Sequence, residues 1–149
     1  VKWPNDIYIG DQKISGTLIE CDLLGKHISN CIIGVGININ QTVFRSDAPN
    51  PTSLQLLTGK EYDREEVLSA LLQHFQYFYS QLQEGQEDTI RQLYRQHLYR
   101  REGFHRYRDA CGEFMAAIDD IEPTGHLRLR CEDGNVVRYE LKEVQFIKD

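Results

Sequence analysis

Lys2-Trp3-Pro4-Asn5-Asp6, followed shortly by Lys13, is the stretch from which the rest of the chain can be read. After it, Ile7-Tyr8-Ile9 is a short β-rich run, Gly10-Asp11 a turn pair, and Lys13-Ile14-Ser15-Gly16-Thr17-Leu18-Ile19-Glu20 a longer run with strand character. Two such runs joined by a Gly-Asp turn predict a hairpin. That hairpin returns Lys13 to the level of Asn5 and Asp6, and an ammonium beside an adjacent amide and carboxylate is the makings of a nucleotide site.

Outward from the hairpin, Cys21 to His27 contains Gly25-Lys26 and reads as a second reversal. It leads into Ile28-Ser29-Asn30-Cys31-Ile32-Ile33-Gly34-Val35-Gly36-Ile37-Asn38-Ile39-Asn40, a run so rich in β-branched residues that it predicts a strand buried on both faces. Gly34-x-Gly36 lacks the third glycine and the following helix of a dinucleotide-binding fingerprint. Glycine in a strand marks close approach of another group. That group is either a neighbouring backbone or a ligand, and in the second case Asn38 offers an amide that both donates and accepts toward a base edge.

The whole chain, 149 residues, has room for one ordinary domain, or for part of one and a small second one. It has no apolar run of the length that crosses a membrane and no signal-peptide pattern, which predicts a soluble, cytoplasmic protein. Cys21, Cys31, Cys111 and Cys131 show no C-x-x-C spacing and are expected to be reduced thiols in or near the core. A net charge of -6 argues against general affinity for nucleic acid. The sequence opens at Val1 directly on its most informative motif, which predicts an excerpt from a longer protein.

Asp47-Ala48-Pro49-Asn50-Pro51 predicts a loop, and Ser53 to Gly59 a short helix closed by glycine. Asp63-Arg64-Glu65-Glu66 is patterned as a capping box. Behind it Val67, Leu68, Leu71, Leu72, Phe75, Phe78, Tyr79 and Leu82 recur at helical spacing, and Gly85 is the stop. Such a stripe is expected to cover a sheet. A third helix is predicted over 87–99, with Ile90, Leu93, Tyr94 and Leu98 inward. Arg91, Arg95, Arg100, Arg101, Arg106 and Arg108, with His97 and His105 among them, form either a solvated helix end or a face toward an anionic partner.

From Phe104 the helical period disappears. Five short strands over His105–Asp109, Glu113–Ile121, Gly125–Cys131, Val136–Leu141 and Val144–Ile147 are separated by turn residues such as Pro123-Thr124-Gly125 and Asp133-Gly134-Asn135. They suggest a small SH3-like β-barrel, with an OB-type or other small barrel as the alternative, and with Phe104, Phe114, Tyr139 and Phe146 as core. The class is therefore α+β: a partial mixed or antiparallel sheet with covering helices, followed by the barrel.

With these residues laid out, the chain resembles the biotin–protein ligases. The resemblance is strongest at Lys2-Trp3-Pro4-Asn5-Asp6, at Lys13-x-x-Gly16-x-Leu18-Ile19-Glu20 and at Gly34-Val35-Gly36-Ile37-Asn38-Ile39-Asn40, three blocks in the right order. It implies a class II synthetase-like ligase fold, with residues 1–101 as the later half of a catalytic domain and 102–149 as the SH3-like domain. It implies a reaction of biotin with ATP and Mg²⁺ to give biotinyl-AMP, and transfer of the biotinyl group to a lysine of a carboxylase's biotin carrier protein.

By the same resemblance Lys13 is the catalytic lysine, and Lys2, Asn5, Asp6 and Asn38 are ATP or adenylate contacts. Asp6 is also a Mg²⁺ ligand, Gly16, Gly34 and Gly36 are backbone on the biotin side, and Glu143 is a domain contact. The family's arginine- and glycine-rich biotin loop precedes the motif with which this sequence starts, so the polypeptide alone is expected to be inactive. A homodimer is left open, and nucleic acid enters only through a DNA-binding domain upstream. Ile147 stands where some members carry a basic residue, with Lys148 next door, which weakens the case for barrel contacts to ATP.

A lipoate–protein ligase shares the adenylate logic, but would lack the Lys-Trp-Pro-Asn-Asp block and usually the barrel. A non-enzymatic SH3-like binding module would need exposed aromatic residues on one barrel face.

Overall fold

The computed structural model describes residues 1–25, 27–45 and 50–147. Lys26, most of the loop expected at 47–51, and Lys148 lie outside the described residues. The chain divides into two compact units, Asn5–Gln86 and Val1–Pro4 with Glu87–Asp149.

In the unit Asn5–Gln86, β1 (Asp6–Ile9), β2 (Gln12–Leu24) and β3 (His27–Ile37) form an antiparallel sheet in the order β1-β2-β3. Gly10, at φ +56, supplies the left-handed residue that the β1–β2 turn requires. The second reversal is tighter than the sequence suggests: β2 runs on through Cys21 to Leu24 and turns at Gly25. The expectation that β3 is buried on both faces is corrected. Ile28, Ile32, Ile33 and Val35 are all exposed, because β3 is the last strand of the sheet order and no helix packs over it among the described residues.

Ser53 caps α1 (Leu54–Thr58): its Oγ accepts from Leu56 N at 3.1 Å, and Gly59 closes the helix at φ 72. Asp63 caps α2 (Arg64–Gln83), its carboxylate accepting from Glu65 N at 2.7 Å. The apolar stripe of α2 is present but not covered. No α2 residue is buried, and Leu72 and Phe75 are about half exposed at 55% and 51%. Periodicity places these side chains on one face, but only a tertiary neighbour can bury them.

In the second unit α3 (Glu87–Gln96) is followed by β4 (His105–Asp109), β5 (Gly112–Ile121), β6 (Leu127–Cys131), β7 (Val136–Tyr139) and β8 (Gln145–Phe146). The five strands form an antiparallel sheet in the order β7-β6-β5-β4-β8. They are the predicted SH3-like strands, in a sheet that does not close into a barrel among the described residues. Trp3, Leu98, Tyr107, Ala116, Ile121, Leu127, Leu129, Tyr139 and Val144 make its core, with Phe114 and Phe146 partly buried against it. Tyr107 meets Phe146 edge-on at 4.9 Å between ring centroids. Phe104 is exposed, contrary to expectation.

The arginines at the end of α3 and in β4 have partners within this unit. Arg91 pairs with Glu87, Arg95 with Asp120, Arg101 with Glu102, and Arg106 and Arg108 with Glu113, while Arg100 donates to Ile147 O at 2.8 Å. These contacts favour the solvated-face reading of that cluster.

Candidate functional site

The β1–β2 hairpin sets the site through an irregularity in its ladder. Asp6 pairs with Gly16 and Ile7 with Ser15, but the next partner of Tyr8 is Lys13, leaving Ile14 as an extra residue. In a regular strand residues 13 and 16 point to opposite faces. The bulge changes that parity and brings Lys13 to the face of Gly16 and Asp6, the re-aiming that bulges perform beside functional sites. The result is a 2.6 Å ion pair between Lys13 Nζ and Asp6 Oδ1, with side chains 25% and 18% exposed.

The bulge is held from outside the hairpin. Lys13 N donates to Asn50 O at 2.9 Å, Thr52 N to Lys13 O at 2.8 Å, and Asn38 N to Ile14 O at 2.9 Å. Thr52 and Ser53 are buried, and Ser53 Oγ donates to Gln41 O, so the segment after the loop is fixed against the strands.

Gly16 leaves room for the pair as it stands. A Cβ there would meet Asp6 Oδ1 and Lys13 Nζ at 3.2 Å and Lys13 Cε at 3.3 Å. Gly36 faces Gly16 across β2 and β3, and a Cβ on it would meet only Gly16 O, at 3.8 Å. At Gly34, opposite Leu18, a Cβ would meet only Leu18 O at 4.0 Å. No described neighbour therefore demands glycine at 34 or 36, and the alternative of packing against another backbone finds no support within this unit.

Lys13, Ser15, Gly16, Gly36, Ile37, Asn38, Gln41, Phe44 and Pro51 line one open cleft of about 400 Å³. Four residues picked from sequence, Lys13, Gly16, Gly36 and Asn38, thus share it, and Asp6 joins through its ion pair. Asn38 is tied into the fold by its backbone, its carbonyl accepting from Leu54 N at 3.1 Å. Asn40, by contrast, exchanges two side-chain hydrogen bonds with the backbone of Tyr62 and is a structural clip.

Other expected site residues have local roles or lie apart. Asn5 Nδ2 donates to Thr17 O at 2.6 Å, which engages the amide donor expected at adenine. Gly34 does not line the cleft. Lys2 belongs to the other unit, its ammonium 5.1 Å above the Phe146 ring. Glu143 accepts from Glu140 N at 2.7 Å and so closes its own turn.

Sequence reasoning missed Ser15, Ile37, Gln41, Phe44 and Pro51 as cleft residues. A signal was present in the polar pair Thr52-Ser53 at the head of a helix, where a capping residue anchors the preceding loop.

The thiols also depart from expectation. All four are free, but Cys21, Cys31 and Cys111 are exposed, and only Cys131, half-buried against the core of the second unit, fits the expectation of a near-core thiol. Strand residues are buried only where something packs on the sheet, and nothing described packs on the outer half of β2 and β3.

Residues 1–38 match the model of the Biotin/lipoate A/B protein ligase family. The chain is 30% identical over 139 residues to the bifunctional ligase/repressor BirA of Bacillus spizizenii, covering 90% of this chain and 42% of that protein. It is 31% identical over 86 residues to the biotin–[acetyl-CoA-carboxylase] ligase of Paracoccus denitrificans, covering 55% of this chain and 36% of that one. In fold it is similar to the biotin protein ligase of Aquifex aeolicus solved with biotin and ATP, with a TM-score of 0.75 and 25% identity. That likeness covers all of this chain and 62% of the other. The chain thus spans about two fifths of the length of the Bacillus relative. The resemblance carried by residues 2–6, 13–20 and 34–40 stands: the chain is similar to biotin–protein ligases in sequence and in fold, and its first 38 residues match the Biotin/lipoate A/B protein ligase family.

Proposed function

We propose that the chain is part of an ATP-dependent ligase that activates biotin as biotinyl-AMP and passes it to a lysine of a biotin carrier protein. The observation that carries this reading is the cleft in which Lys13, Gly16, Gly36 and Asn38 converge, with the Lys13 ammonium held by Asp6. Forming a carboxyl–phosphate anhydride brings two anions together while charge builds on phosphate oxygens. A cation fixed beforehand in a partly desolvated cleft lowers that barrier without reorganising.

Lys13 takes that role as the catalytic residue. Asp6 orients it and keeps the ammonium in place before an anion arrives. Gly16 and Gly36 leave bare backbone at the floor of the cleft, where a flat apolar substrate such as biotin can approach, and Gly34 extends that path along β3. Asn38 supplies the paired donor and acceptor for adenine. Asn5 joins it only if its amide leaves Thr17 O. Lys2 at the departing pyrophosphate and Glu143 at the barrel's contact with the catalytic domain rest on the resemblance alone. So does a boundary between residues 101 and 102.

Mg²⁺ fits here in one way only. No group of three acidic, histidine or cysteine side chains converges among the described residues, and the carboxylate paired with Lys13 is that of Asp6. Such a site suits a cation held largely by nucleotide phosphates, whose charge it neutralises. Asp6 would be the residue that holds the cation, which would neutralise phosphate charge beside the Lys13 ammonium.

The Bacillus relative is a ligase and repressor, which makes an additional DNA-binding role a property to look for in a longer form of this protein. A cytoplasmic placement rests on the resemblance; no helix among the described residues is long and apolar enough to cross a membrane. The outer edge of β3, which among the described residues pairs only with β2, leaves room for a homodimer. A lipoyl substrate is the second reading, since the matched family model includes lipoate ligases.

The test is adenylation assayed in a full-length ligase carrying these residues, with biotin or lipoate as substrate. Lys13→Ala should lower biotinyl-AMP formation by about 10² to 10³ while the circular dichroism spectrum is unchanged. A rate within twofold removes Lys13 from the mechanism, and a preference for lipoate overturns the substrate. For the 149-residue polypeptide alone, calorimetry with biotin, ATP and Mg²⁺ should show no tight binding. Sub-micromolar binding would refute that part.

A further inference from the structure

Cys21 and Cys31 are directly opposed in the β2–β3 ladder, and Cys21 Sγ donates a hydrogen bond to Cys31 Sγ at 3.3 Å. Both are free and exposed. Opposed residues of an antiparallel pair have their Cα atoms about 4.5–5.5 Å apart, within the span of about 4.4–6.8 Å that a disulfide tolerates. Closing the remaining gap to an S–S bond of about 2.05 Å needs side-chain rotation and a small strand adjustment, not a change of register. Neither thiol has a part in the cleft chemistry, which lies at the other end of the hairpin around Gly16 and Gly36.

We propose that Cys21 and Cys31 are a dithiol modification site, oxidised by a low-molecular-weight disulfide to an intrachain cross-link. One thiol of the pair, as thiolate, attacks a sulfur of the external disulfide. A mixed disulfide forms and one small thiolate leaves. The second cysteine then attacks the protein-side sulfur of that mixed disulfide and expels the other small thiolate. Two S–H bonds of the protein are replaced by one S–S bond, two electrons pass to the oxidant, and the two protons end on the released thiols.

The hydrogen bond to Cys31 is the largest of the influences that push the Cys21 thiol above its ordinary range, with Asp22 also contributing. Oxidation should therefore quicken as the pH rises. The cross-link would pin the outer half of the hairpin, where Leu23, Leu24 and Ile28 are exposed. The proposal is independent of the ligase reading, because it needs only the register of β2 and β3.

The experiment uses the 149-residue chain, equilibrated with oxidised and reduced glutathione, quenched by alkylation, and mapped by mass spectrometry after digestion. The expected product joins the Cys21 and Cys31 peptides, while Cys111 and Cys131 remain alkylated. In the variants Cys21→Ser and Cys31→Ser, the remaining thiol of the pair should accumulate a glutathione adduct that the wild-type chain resolves. The proposal fails if the wild-type chain accumulates those adducts as strongly as the single variants. It fails equally if both thiols stay alkylated under oxidising conditions, or if the cross-links join other cysteines or two chains.

Discussion

Replacing Trp3 should destabilise the unit formed by Val1–Pro4 and Glu87–Asp149. Trp3 is 5% exposed, sits in the core with Leu98, Tyr107 and Leu127, and donates from Nε1 to Gly125 O at 2.8 Å. Truncating a buried tryptophan to alanine costs about 3–5 kcal/mol. A unit of about 67 residues has about 3–10 kcal/mol in total, so Trp3→Ala should remove from about a third to all of its stability.

Trp3→Phe separates two contributions. It retains a ring in the core and loses the hydrogen bond, whose acceptor lies on an exposed glycine that water can reach. The bond should cost about 0.5–1.5 kcal/mol and the smaller ring about 1 kcal/mol more. Urea unfolding followed by circular dichroism measures both variants. The fluorescence of the wild-type chain follows this unit alone, because Trp3 is its single tryptophan. If Trp3→Ala shifts stability by less than about 1 kcal/mol, Trp3 does not anchor this core and belongs to the site with its sequence neighbours.

Gly16→Ala should preserve the fold, since the atoms met at 3.2–3.3 Å are the ends of the Asp6 and Lys13 side chains, which can give way. It should still displace Lys13 and lower adenylation in a full-length ligase by tenfold or more, with the melting temperature of the chain nearly unchanged.

Tyr139 donates to Asp109 at 2.8 Å, and this bond is the main cause holding the Asp109 carboxyl below its usual range. Burial, then the same bond, pushes the Tyr139 phenol up. A depressed carboxylate stabilises the fold above its unfolded value and loses that contribution as the pH falls. A raised phenol stabilises it below its unfolded value and loses that contribution as the pH rises. The difference in melting temperature between wild type and Tyr139→Phe should thus be level from about pH 5 to 9 and shrink below about pH 4 and above about pH 10. A difference independent of pH would show that the bond does not couple to titration.

Leu72→Gln and Phe75→Ser, on the exposed face of α2, should change the stability of the 149-residue chain by no more than about 0.5 kcal/mol. A loss above 2 kcal/mol would mean that this stripe is buried in solution.

Strands, helices and turns were legible wherever the signal is local. Period-two runs marked the five strands from His105 onward, the capping residues Ser53 and Asp63 opened their helices, and Gly10 and Gly59 closed a turn and a helix with left-handed φ. The motif blocks also identified Lys13, Gly16, Gly36 and Asn38 before any geometry brought them to one cleft.

Burial and facing direction were not legible, because both depend on surfaces that meet through the fold. Only the pairing of β1 with β2 revealed Ile14 as an extra residue, and that one residue decides whether Lys13 points toward Asp6 or away from it. Only packing separated Trp3, a core residue, from Asp6, which follows it closely in the same motif. The apolar pattern of β3 and α2 specified which side chains share a face, and the absence of a described neighbour left them in solvent. Composition and spacing act along the chain and determine the elements. Register and contact act across it, and they determined which way each functional group points.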